Sequence, residues 1–92
     1  MTRTNEPTYR RAAEIEQSPV PDGSVVYDSR SREIHYLNAT ATMVLDLCDG
    51  ERSREAIAAL LQSAFDLAAA PVEDVGQCLA ELRDKNLIEA LS

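Results

Sequence analysis

The stretch EIHYLNATATMVLDLCDGE, Glu33 to Glu51, leaves the chain little conformational freedom. Its opening residues read as a strand that ends in Leu37-Asn38. Apolar residues then fall at Ala41, Val44, Leu45 and Cys48, the i, i+3, i+4, i+7 stripe of one helix face. Asn38 stands at the N-cap, where its side-chain oxygen accepts a bond from an orphan backbone N–H of the first turn. Gly50 sits where a helix favours a left-handed residue just past its end. These signals agree, so the segment predicts a strand that turns without a loop into a capped helix. Such a corner suits a catalytic site, a nucleic-acid reader or a docking surface.

Residues 1–11 read as a polar tail, with Pro7 and scattered arginines, and residues 12–92 as a single folded domain. AAEIEQ reads as a weak edge strand, and SPVPDG, Ser18 to Gly23, as a turn segment in which Pro and Asp-Gly favour reversal. SVVYD, Ser24 to Asp28, is β-branched and aromatic; SRSR turns the chain, and EIHYL returns as the second arm of a hairpin. Ser53 is placed to cap a second helix whose buried face is Ile57, Leu60, Leu61, Ala64 and Phe65. Pro71 suits the first position of a third helix, with Glu73 and Asp74 in its first turn, where the dipole favours negative charge. That helix carries Val72, Val75, Leu79 and Leu82 on one stripe and stops at Asn86, before LIEAL as a short terminal strand or apolar tail. Gly76 lies mid-helix, at a cost of about 1 kcal/mol relative to Ala, which marks a close approach by a neighbour. The fold class is therefore α+β: an N-terminal antiparallel sheet of two or three strands followed by three α-helices, in a winged helix-turn-helix-like arrangement.

Charge narrows the function. The net charge is −7, and it is uneven: six acids face five bases up to Leu37, and ten face four from Asn38 onward. An acidic helical half repels phosphate backbones and anionic lipid and favours partners with basic residues. A DNA-reading third helix would present Arg, Lys, Asn or Gln, whereas PVEDVGQCLAELRDKNL carries four acids against two bases. The basic hairpin tip, Arg30 and Arg32, neutralises too few phosphates alone, so a winged-helix DNA-binding regulator is the weaker reading. No apolar run approaches the roughly 18 to 20 residues that span a bilayer. MTRTNEPTYRR has no signal-peptide block, and a cytoplasmic protein is expected.

Little in the chain suggests catalysis. His35 is the only histidine and has no acid at relay spacing, so a half-buried strand residue is the plain expectation. Cys48 and Cys78 lie in separate helical patterns and read as free buried thiols. Neither a metal site, a cofactor nor an enzymatic activity is expected. Peptide docking fits better: an edge strand leaves N–H and C=O groups that a guest strand takes up, and a flanking helix makes a groove.

The spaced elements Leu37-Asn38, Cys48-Asp49-Gly50, Asp74-Val75, Leu79, Leu82 and Leu87-Ile88 resemble the pattern of the PqqD-like family, the RiPP recognition elements, over about residues 24 to 91. One departure is Cys78, which stands where that pattern often carries an aromatic or large residue. The resemblance implies a non-catalytic protein that binds the leader of a ribosomally made precursor peptide by strand addition. It then presents the peptide to a modifying enzyme. In PqqD this is a radical SAM enzyme of pyrroloquinoline quinone synthesis; in other relatives it is a leader peptidase of lasso-peptide type. On this reading Glu33, Ile34, His35 and Tyr36 form the pairing edge, and Val75, Cys78, Leu79 and Leu82 supply apolar contacts, shared with the core. Gly76 and Arg83 lie on one shoulder of that stripe and Asp74 and Lys85 toward the other, and either shoulder can face the groove.

Overall fold

The computed structural model describes residues 7–91. Strand β2 (Ile15–Val20) and strand β3 (Gly23–Asp28) pair from Val20↔Gly23 to Ile15↔Asp28 across a two-residue Pro21-Asp22 turn. Strand β4 (Glu33–Asn38) pairs with β3 from Asp28↔Glu33 to Gly23↔Asn38, giving an antiparallel sheet of order β2-β3-β4. The turn segment expected over Ser18 to Gly23 is thus mostly strand, and only Pro21-Asp22 turns. Pro19 is tolerated because β2 is an edge strand, where a missing N–H need not break a ladder. At the far end of β3, a Cβ on Gly23 would collide with the Leu37 carbonyl oxygen, so only glycine lets β4 run this close.

The expected corner is present. Helix α1 (Ala39–Asp46) begins on the residue after β4, and the Asn38 side chain accepts a bond of 2.8 Å from the Ala41 N–H. Val44 and Leu45 point into the core. A polar contact fixes α1 to the sheet: Ser24 Oγ, fully buried, lies 2.8 Å from Thr42 Oγ1, and Gln17 Nε2 donates to the same Ser24 oxygen at 3.3 Å. The helix ends earlier than its apolar stripe suggests, with Leu47 as C-cap. Cys48 lies beyond the helix, its Sγ donating to the Val44 carbonyl at 3.2 Å, and Gly50, at φ 92°, belongs to strand β5 (Asp49–Ser53).

β5 is one neighbour of strand β1 (Thr8–Arg11), and strand β6 (Ile88–Leu91) is the other, in a second antiparallel sheet of order β5-β1-β6. This corrects the reading of residues 1–11 as a tail. Thr8 to Arg11 form the middle strand of a sheet, with Tyr9 buried; residues 1–6 of that segment lie outside the described residues. A short strand flanked on both sides is held by partners distant in sequence, so TYRR needs no strong local signal.

Helix α2 (Arg54–Ala64) starts where Ser53 accepts a bond from the Ala56 N–H at 3.3 Å. Ile57, Ala58 and Leu61 are buried, whereas Leu60 and Phe65, expected on the buried face, are exposed. Helix α3 (Val72–Asp84) has Pro71 as its N-cap residue and ends at Asn86 with φ 61°. Its buried residues are Val75, Leu79 and Leu82. One hydrophobic core runs from Tyr9 through Val26, Leu45, Ile57 and Leu79 to Ile88. The α+β class expected from the sequence is the observed one, with strands interleaved among the helices as well as preceding them. Among the described residues no helix is long and apolar enough to cross a membrane.

Candidate functional site

β4 is paired on one side only. In an antiparallel ladder the main-chain groups of successive residues point alternately to one neighbour and the other. The Leu37 carbonyl points at β3, as its contact with Gly23 shows, so Glu33, His35 and Leu37 engage β3. Ile34 and Tyr36 then turn their N–H and C=O groups outward, where no other strand among the described residues takes them up. Their side chains are unusually open for apolar residues, at 70% and 58% exposure. They continue a patch on the outer face of the sheet through the cross-strand pairs Tyr27↔Ile34 and Val25↔Tyr36.

Beside this edge runs a slot against α3. Tyr36, Leu37 and Asn38 form one wall, Cys78, Glu81, Leu82 and Lys85 the other, and Ala41 at the start of α1 closes one end. The shoulder of α3 that carries Asp74 and Lys85 is the one turned to the slot. Gly76, on the opposite shoulder, admits the Arg54 side chain, since a Cβ there would come within 3.1 Å of Arg54 Cδ. The close approach expected at Gly76 is therefore by a side chain of α2.

The predicted site residues divide into three groups. Tyr36, Cys78 and Leu82 line the slot, Leu82 from within the core at 1% exposure, and Ile34 lies on the same outer sheet face as Tyr36. Val75 and Leu79 are packed in the core, at 1% and 2% exposure, and Leu79 offers nothing to the slot. Glu33 and His35 project from the sheet face opposite Ile34 and Tyr36; His35 Nε2 lies 3.5 Å from Glu33 Oε1 without a hydrogen bond and is buried without a partner. Sequence reasoning missed Leu37, Asn38, Ala41 and Glu81 as lining residues and left Lys85 open on one of two shoulders. The spacing Asp74, Cys78, Glu81, Lys85 (i, i+4, i+7, i+11) marks them as one line on the helix, but that signal is masked by the stronger apolar stripe beside it.

The chemistry of the slot is that of contact. Burial pushes the Cys78 thiol up, with Glu81 adding to the effect and Lys85 opposing it. Burial pushes Cys48 further, to about 12. Both sulfurs stay protonated at neutral pH and are poor nucleophiles. Glu81 and Lys85 form no ion pair among the described residues, so their charges are open to a guest. The hairpin end of the slot is tied down. Arg30 donates from Nε and Nη2 to the Asp28 carboxylate, each at 3.0 Å, and from Nη2 to the Asn86 carbonyl at 2.6 Å. That guanidinium holds the Asp28 carboxyl down at about 2, against partial burial that pushes it up. The basic tip expected of a nucleic-acid wing is thus half consumed by an internal contact.

The chain is similar to a solved structure described as lasso peptide synthetase B1 complexed with the leader peptide, with a TM-score of 0.68, 23% sequence identity, and coverage of 88% of this chain and 96% of that one. Among curated proteins none matches the chain. The sequence profile of the family described as coenzyme PQQ synthesis protein D (PqqD) matches residues 23–88, which takes in β3, β4, β5, all three helices and the first residue of β6. With the greater part of its length matched, the chain belongs to the PqqD family.

Proposed function

We propose that this chain is a RiPP recognition element: a non-catalytic protein that takes up the leader of a ribosomally made precursor peptide and presents it to a modifying enzyme. The observation that carries the reading is the unpaired edge of β4, with Ile34 and Tyr36 turned outward, lying beside a slot walled by α3. A guest in extended form gains main-chain bonds from that edge and side-chain contacts from the slot. Glu81, Asp74 and the acidic helical half favour a guest with basic residues near its apolar ones. The partner enzyme on this reading is a radical SAM enzyme, as the resemblance to PqqD implies, or a leader peptidase, as the likeness to a lasso peptide synthetase subunit favours. The DNA-binding alternative is not favoured, because α3 carries four acids and Arg30 is engaged by Asp28.

The test is an NMR titration of the isotope-labelled protein with the synthetic leader of the precursor encoded beside its gene. Shifts concentrated at Ile34, Tyr36, Asn38, Cys78, Glu81 and Lys85 are expected. Saturating peptide with no shift in β4 and α3 would refute the proposal.

A further inference from the structure

On the other side of the start of α1, toward the N-terminal end of α3, lies a second, apolar hollow. Phe65, Leu67 and Pro71 wall this hollow, the buried side chains of Leu61 and Val75 form its floor, and Thr40 and Asp74 stand at its rim. The two spaces share their lining elements. Thr40 lies between Asn38 and Ala41 of the slot in sequence, and Asp74 precedes Cys78 by one turn of α3. Phe65 and Leu67, at 43% and 41% exposure, are large apolar residues that the fold leaves uncovered here.

Resting on the reading of the slot as a peptide site, we infer that the hollow is an anchor pocket for the same guest, taking one bulky aliphatic or aromatic side chain from the segment that emerges past Asn38. The occupant follows from the adjacency of the two spaces along α1 and α3 and from distance. Asp74 and Cys78 are four residues apart on a helix, about 6 Å, and Val75 and Leu82 about 10 Å. An extended chain covers that span in two to three residues at about 3.3 Å each. The guest therefore carries two apolar positions, one over Cys78 and Leu82 and one two to three residues away over Phe65 and Leu67. Asp74 at the rim disfavours an acidic side chain next to the anchor.

The experiment is a selection from a phage-displayed library of random twelve-residue peptides on the wild-type protein and on the double variant Phe65→Ser, Leu67→Ser. Both residues are surface-exposed, and an unchanged melting temperature and circular dichroism spectrum check that the variant folds. Wild-type protein is expected to enrich peptides with two apolar positions at that spacing. The double variant should keep the first and lose the second, and should bind the best wild-type peptide about tenfold or more weakly. Enriched peptides with one apolar position only, or equal affinity for both proteins, overturn the anchor and leave the slot reading standing. Failure of the wild type to enrich any extended peptide overturns the reading of the slot itself.

Discussion

The two cysteines show how a single residue reports on the site. Cys48 and Cys78 have the same chemistry, and both are pushed up by burial, yet only Cys78 borders open space. Iodoacetamide at pH 8 should therefore leave Cys48 unmodified for as long as the chain is folded, and modify Cys78 slowly. A saturating guest peptide should slow Cys78 further, by about tenfold, as read by intact-mass spectrometry over time. Equal labelling of Cys78 with and without guest would separate the thiol from the binding surface.

At the level of elements, the width of the slot depends on the tie between the β3–β4 turn and the end of α3. Arg30 makes it, and it is a charge-assisted contact on both sides, to the Asp28 carboxylate and to a backbone carbonyl beyond α3. Arg30→Ala should lower the midpoint of urea unfolding, because it strips the Asp28 carboxylate of its partner. The same pair sets an acid limit. Asp28 titrates at about 2 when folded against an ordinary 3.8, so its contribution is complete above about pH 4 and disappears as pH falls toward 2. Asp28→Asn should flatten stability over that window and leave neutral pH behaviour otherwise intact apart from a uniform loss. The sequence disclosed the elements whose signals are local: the Asn38 and Ser53 caps, the left-handed stop at Asn86, and the β3–β4 hairpin. It did not disclose β1 or β5, because DGERS and TYRR hold strand form only through one another and through β6. Nor did it disclose which shoulder of α3 meets β4, since that depends on how α1 and α2 pack and leaves no trace in the spacing of α3 alone.

At the scale of the whole molecule, two three-stranded sheets share one core, but they do different work. The β2-β3-β4 sheet and α3 carry the candidate site; β5-β1-β6 closes the fold around the ends of the helices. Deleting residues 88–91 should therefore cost far more than the removal of a few exposed side chains. It takes away Ile88, which is buried, and one of the two partners of β1. The expected outcome is loss of the cooperative thermal transition with peptide affinity falling in step; a truncated protein that melts like the full chain would show β6 to be dispensable. The pairing of β1 with β6 also imposes an order in time. Arg10 bonds Glu89 across 79 positions of sequence, so a nascent chain with its hairpin and caps already formed still waits for its final strand before the second sheet can zip shut. Synthesis thus completes the β2-β3-β4 sheet long before the β5-β1-β6 sheet can close.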